Sequence, residues 1–461
     1  MLSWTALALA CGIFSLVALT GGILAPRGER KTTLSLIMAG LAAASIKITL
    51  FQQAPQWQDI NPDSITYERN ARAFAEHWQG RTVPGEAYAL RGLAVWHAAG
   101  LHGPDWEAND SLAYRSIIGS HEWLYAAYGG LWYWLADAPQ AVVIASNALW
   151  AAFYPAAAFG IALALGASRK PALAAGALAL VDPSSGVNAS WLLKDTLAGF
   201  LAMAALWGLA GHLRDGGRRR LLIAALALGL LGGVRYVAFL GLIIAPSLIV
   251  AERFLRRDHL AAGGLLAVPA AAWLAFWLLS TAPHSSPATP AWQNAASAVT
   301  SVVGAAVSTL GGGLATLGAQ EGDAHADDTT LRWKKALSDD PALALVKSVA
   351  HTLFAPYPWV ALHPGLTWHS FNELYYPGVV LWTICLPGIF VAVALGLRSR
   401  EPAVWLVLLF LASQLAAYTI WQGEWSTRQR VFALPAFFAL AALGWHRLIR
   451  RWHARPAASM Q

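Results

Sequence analysis

The chain has 461 residues, of which 57% are hydrophobic and only 12% charged, with a formal net charge of +7 at pH 7. A soluble domain carries about 25% charged residues, so an ordinary water-soluble fold is excluded and the apolar surface must face a bilayer. The positive balance does not point to nucleic acid, because the Arg and Lys residues cluster in short loops between apolar runs.

A membrane-crossing helix needs about 20 mostly apolar residues. Eleven such runs are predicted in chain order, at approximately 3–25, 32–51, 140–166, 171–189, 190–212, 220–234, 236–252, 260–281, 376–397, 402–421 and 430–447. The first is longer than a signal-peptide core and has no basic segment before it, which predicts a retained span. The basic clusters are Arg27/Arg30/Lys31, Arg169/Lys170, Arg214 with Arg218–Arg220, Arg253/Arg256/Arg257, Arg398/Arg400 and Arg447/Arg450/Arg451/Arg455. All fall on one side of the series. Short basic loops stay in the cytoplasm, which predicts an inner-membrane protein with its N-terminus outside and its C-terminus inside. Two long loops, roughly 52–136 and 283–372, then face outward within one integral-membrane domain, 1–461. Trp57, Trp123, Tyr125, Tyr128, Trp132, Tyr133, Trp134, Tyr375 and Tyr376 crowd the outer margins, as aromatic belts do. The segment 121–136 is expected to lie flat on that surface. Cys11 and Cys385 both lie in apolar runs, which argues against a structural disulfide or a thiolate metal site.

The first outer loop opens as Gln58-Asp59-Ile60-Asn61-Pro62-Asp63-Ser64-Ile65-Thr66-Tyr67. Helix signals resume at Asp63 and continue through Glu68, Arg69 and Arg72. Asp63 either caps that helix or acts at the membrane surface, as a general base toward a hydroxyl or as a ligand of a hard divalent cation. Lys194 and Asp195 follow Asn188-Ala189-Ser190-Trp191 at the outer end of a span. Charges there either snorkel to the interface or face a cavity. As neighbours they point in different directions, so pairing with each other is not expected.

Residues 221–251 have basic clusters at both ends and Arg235 as the only charge inside. Two arms of about 15 residues reach ~22 Å at 1.5 Å per residue, short of the ~30 Å hydrocarbon core. Arg235 is therefore expected in a recess, and shortened spans recur at membrane binding sites. The second outer loop begins with the small-residue stretch Ala295–Gly318, a candidate amphipathic or re-entrant helix, followed by the acidic residues Glu321, Asp323, Asp327 and Asp328. His351, His363 and His369 match no metal spacing; one could move a proton, or all could be surface residues. Arg428 and Arg430 oppose the positive-inside bias, so either Glu424, lipid phosphate or an anionic ligand must offset them. Lys194, Arg235, Arg428 and Arg430 all map to outer span ends, and we expect them to converge on one phosphate or diphosphate. A Gly-rich phosphate loop with Lys-Ser/Thr, an HExxH pair and a dinucleotide fingerprint are all missing, which argues against ATP-driven transport and nucleotide-sugar donors.

This layout resembles the GT-C superfamily of integral-membrane glycosyltransferases. The resemblance rests on the acidic start Pro62-Asp63-Ser64-Ile65-Thr66-Tyr67, the aromatic, Gly-containing run 112–136 and the segment Asn188–Phe200 with Lys194-Asp195. It extends to Gly232-Gly233-Val234-Arg235-Tyr236, Phe354–Trp359, and Arg428-Gln429-Arg430 followed by Pro435, which look like segments of bacterial polysaccharide-cluster members. Two spans precede the first acidic loop here, where many members have one. The resemblance implies an all-α, GT-C-like fold of about 11 helices and a polyprenyl-phosphate-linked sugar donor whose tail lies between spans. It implies a glycan or lipid acceptor deprotonated by Asp63 or Asp59, and inversion at the anomeric carbon. Lys194, Arg235, Arg428 and Arg430 would hold the donor phosphate, and Tyr67, Arg69, His351, Trp359 and Glu373 are candidates for the acceptor groove. Some members use a divalent cation, Mg²⁺ or Mn²⁺, and others none. Membrane lipids are the remaining expected partners. Two rivals share the face: a polysaccharide polymerase or O-antigen-ligase-like enzyme using a diphosphate-linked glycan, and a lipid-linked sugar flippase.

Overall fold

The computed structural model describes residues 3–53, 123–255, 339–354, 372–422 and 430–453, together with scattered positions between 64 and 79 and the single residues 268 and 336. Among the described residues every regular element is helical. Helix α1 (Trp4–Leu24) is capped by Ser3, whose hydroxyl accepts from the Ala6 amide at 3.1 Å. A 3-10 turn (Arg27–Glu29) leads into α2 (Arg30–Gln53). Helix α3 (Trp123–Ala136) ends where Asp137 takes a left-handed φ of 44°. The apolar stretch Gln140–Ala164 is a chain of three short helices, α4 (Gln140–Ala145), α5 (Asn147–Ala151) and α6 (Tyr154–Ala164).

Helix α7 (Arg169–Val181) stops at Asp182-Pro183, because proline has no amide proton and forces the residue before it into an extended conformation. Helix α8 (Ser184–Ala189) follows, and α9 (Asp195–Asp215) begins after a break. Gly216 and Gly217, at φ 75° and 114°, make the reversal into α10 (Arg218–Gly232) that a side chain would strain. The remaining helices are α11 (Tyr236–Leu255), α12 (Pro341–Phe354), α13 (Asn372–Gly396), α14 (Pro402–Gln422) and, after a 3-10 turn (Val431–Ala433), α15 (Leu434–His453).

Among the described residues, seven helices are long and apolar enough to cross a membrane: Trp4–Leu24, Arg27–Gln53, Gln140–Ala164, Asp195–Asp215, Pro377–Gly396, Pro402–Thr419 and Val431–Trp452. The chain is thus a polytopic membrane protein. The predicted run 171–189 is divided by Pro183 into α7 and α8, and the predicted run 190–212 starts late, at Asp195. The pair 220–234 and 236–252 appears as α10 and α11; α10 has the expected 15 residues, but α11 has 20, about 30 Å at 1.5 Å per residue, so only one arm is short. The run 260–281 lies outside the described residues apart from Val268. Helix α3 packs against the rest of the protein. Tyr125, Tyr128, Trp132 and Tyr133 are buried, and the Leu124 amide donates to the Gly233 carbonyl at 3.0 Å.

Helix α9 is the centre, with 89% of its apolar window buried, against 28% for α1 and 33% for α13. A helix apolar on every side is a buried one. Its fit against α6 is close: a Cβ on Gly160 would stand 2.0 Å from the Trp207 ring. The peripheral helices instead turn Leu7, Leu16, Leu19, Ile46, Leu50, Ile384 and Phe390 outward, a surface suited to lipid.

The two ends of the bundle differ. At one, Arg169 reaches Thr32 and Glu29, Arg214 donates to the Leu163 carbonyl, and Arg220 donates to Gly211 and Asp215. Basic clusters that are distant in sequence are thereby gathered at one end. The opposite end carries the candidate site.

Candidate functional site

The break before α9 sets the site. Asp195, the first residue of α9, pairs with the Arg235 guanidinium in the α10–α11 turn, and both are buried. Arg235 also donates through Nε and Nη2 to the Tyr418 hydroxyl on α14, at 2.9 and 2.7 Å. Its guanidinium lies 4.9 Å from the centre of the Phe432 ring. Two residues before Phe432, Arg430 is buried with its guanidinium 4.6 Å from the centre of Trp382 on α13. Lys194 is half-buried, its ammonium 5.8 Å from the centre of the Tyr67 ring. Stacking of cations on aromatic faces offsets part of their desolvation.

Asn147 clamps the break. Its amide nitrogen donates to the carbonyls of Ala189 (3.2 Å) and Trp191 (2.8 Å). Its oxygen accepts from the Tyr125 and Thr196 hydroxyls, both at 3.2 Å. The Leu192 amide donates to the Ser64 hydroxyl at 3.0 Å, so the segment that follows α2 is tied to the same break at Ser64. Burial pushes the Tyr128 phenol up to about 12, opposed by its hydrogen bond to Ser146. Tyr133 is raised by burial and then by Glu68, with Arg72 opposing from 4.4 Å above its ring. Glu68 in turn accepts from Arg72 and from Gln140.

Beneath α8 lies a second charged contact. Lys47 of α2 donates to the Asp182 carbonyl at 2.5 Å and to the Ser185 hydroxyl at 3.4 Å. The Asp182 carboxylate accepts from the Ser185 amide at 3.1 Å. The approach is close, since a Cβ on Gly186 would meet the Lys47 side chain at 2.3 Å.

Of the four expected phosphate-binding residues, Lys194, Arg235 and Arg430 are described: Lys194 adjoins Asp195, which pairs with Arg235, and Arg235 stacks on Phe432, two residues after Arg430. Arg428 lies outside the described residues, as do Asp59, Asp63, Arg69 and Trp359. Tyr67 lies under Lys194, whereas His351 stands on α12. Glu373 lies in the first turn of α13, with its side chain outside the description. Arg235 differs from expectation in one respect: its charge is balanced within the protein, by Asp195. Sequence reasoning overlooked Lys47, Asp182, Asn147, Trp382 and Tyr418. Charges inside apolar runs, a recognised signal of function, could have found Lys47 and Asp182. Nothing local marks Asn147, Trp382 or Tyr418.

Among the described residues no group of three or more His, Cys, Asp or Glu is arranged to hold a metal ion. The carboxylates expected to meet a divalent cation, Asp59 and Asp63, lie outside them, and Asp195 is engaged with Arg235. In comparisons with protein-family models, curated proteins and solved structures, no match to this chain was found.

Proposed function

We propose that this protein is a membrane glycosyltransferase, moving a sugar from a polyprenyl-phosphate-linked donor to a glycan or lipid acceptor on the extracytoplasmic face of the inner membrane. The reading takes the GT-C-like architecture of about eleven spans as its frame and the basic end of the bundle as cytoplasmic. What supports it is that Lys194 adjoins Asp195, the partner of Arg235, that Arg235 stacks on Phe432, two residues after Arg430, and that Ser64, the covalent neighbour of Asp63, accepts from the Leu192 amide at the same break.

In this mechanism Asp63 accepts the proton of the acceptor hydroxyl, and that oxygen attacks the anomeric carbon with inversion. The bond from the anomeric carbon to the phosphate oxygen breaks, and the polyprenyl phosphate leaves with the electron pair. Lys194 and Arg430 offset the charge building on it, because fixed cations in a dry site need no reorganisation as charge develops. Arg235, already neutralised by Asp195, holds the turn in place.

The test is transfer of radiolabelled sugar from polyprenyl-phosphate donors in reconstituted membranes, comparing the parent with Asp63→Asn. Transfer by the parent and its loss in a normally folded variant supports the proposal. Unchanged transfer in the variant removes Asp63 from the mechanism. A protein inactive with every monophosphate donor but active with a diphosphate-linked glycan overturns the reading in favour of a polymerase or ligase.

A further inference from the structure

Helix α12 lies within the second long loop that the charge pattern assigns to the aqueous outer face. Its contacts point elsewhere. It buries Ala344 and Ser348, yet exposes Leu343, Leu345, Val346, Val349 and Phe354, with Val346 at 66%. A helix standing in water turns its apolar stripe inward, and this one turns most of it outward.

Three attachments give its position. The Ser348 hydroxyl donates to the carbonyl of Thr419, the last residue of the apolar span Pro402–Thr419, at 3.5 Å. The Trp382 indole donates to the Leu353 carbonyl at 3.1 Å. The Phe354 ring packs 6.1 Å from that of Phe390, well past the middle of the span Pro377–Gly396. The middle of the helix therefore lies near the end of one span, and its C-terminus lies against the interior of another. Phe354 and Phe390 share one surface, with Ile384 also exposed on α13, and a common surface has a common solvent.

Charge follows the same gradient. Asp339 and Asp340 stand exposed before the helix, and the Asp340 carboxylate accepts from the Leu343 amide at 3.0 Å. Lys347 is exposed beside Ser348, where its long stem can carry the ammonium to the interface. From Ser348 to Phe354 there is no Asp, Glu, Lys or Arg. Fourteen residues span about 21 Å at 1.5 Å each, too short to cross the ~30 Å core.

We infer that α12 is a re-entrant helix inserted in the bilayer, its exposed apolar face in contact with lipid acyl chains. It covers the seam between α13 and α14, so α12 stands between the bilayer and the buried Trp382 and Tyr418, which hold Arg430 and Arg235. This inference is independent of the proposed sugar transfer.

The test uses the full chain in lipid vesicles, with Cys11→Ser to remove the exposed thiol and Cys385 left in place as buried. Single spin labels at Val346→Cys and Val349→Cys, both on the exposed face, are compared with Asp339→Cys as a water reference and Ile384→Cys as a lipid reference. The readout is collision with oxygen relative to a water-soluble nickel complex. Insertion is supported by ratios at both α12 positions shifted to that of Ile384, with Val349 the deeper. Ratios matching Asp339 at either position overturn it, since an aqueous helix must expose these side chains to the nickel complex.

Discussion

Two cations, Arg235 buried and Lys47 half-buried, flank the break between α7 and α9, and the protein treats them differently. Arg235 faces a carboxylate, a phenol and an aromatic ring, so its planar fork joins α9, the α10–α11 turn, α14 and the turn before α15. Lys47 docks on a backbone carbonyl and a hydroxyl at the C-terminal end of α7. A compact ammonium suits the negative end of a helix dipole, and a guanidinium suits several directional partners at once. One contact holds helices to each other; the other holds a helix end under α8.

The largest effect expected from this contrast is on the Arg235 side. Arg235→Met leaves the Asp195 carboxylate buried without its counter-charge, which costs about 3–5 kcal/mol. Unfolding of the purified protein in detergent, followed by tryptophan fluorescence, should show it. The double variant Arg235→Met with Asp195→Leu should recover most of the loss. No recovery would show that Tyr418 and Phe432, rather than the ion pair, set the geometry. Asn147→Ala comes next, at about 3 kcal/mol, because it leaves two carbonyls at the break without their buried donor. The same unfolding measurement applies, and proteolytic cutting near Ser190–Lys194 should rise if the clamp is what closes the break.

Lys47→Met should cost about 1–2 kcal/mol, since its direct acceptors are neutral and the carboxylate of Asp182 keeps the Ser185 amide. A loss as large as that of Arg235→Met would break the comparison, placing the Asp182 charge rather than the carbonyl as the essential partner. The smallest effect belongs to the basic end. Arg169→Ala removes a half-exposed ion pair with Glu29 and a contact to Thr32, worth less than about 1 kcal/mol. A substantially larger change would mean that the basic end, too, is shielded from water.

Much of the frame was legible in the sequence. The two arms around Arg235 appear as α10 and α11, only the first of them short, and Lys194-Asp195 marks the start of α9. Periodicity and charge bias are local properties, readable within a window of about 20 residues. The division of 171–189 was also legible in Pro183, which the length of the apolar run obscured. Partner choice was not. Asp195 meets Arg235 across 40 positions, Leu192 meets Ser64 across 128 and Lys47 meets Ser185 across 138.

The sequence by itself determined that this chain lives in a membrane, where its basic loops gather, and which charges needed an explanation. Only the tertiary structure decided that Arg235 is answered by Asp195, that Asn147 clamps the break, that α3 is packed inside and that α12 turns its apolar face outward. The physical reason is the same throughout. Apolar burial in a bilayer is non-directional and follows from composition, whereas a buried charge or amide must find a partner at hydrogen-bonding distance, and only the packing of helices brings those partners together.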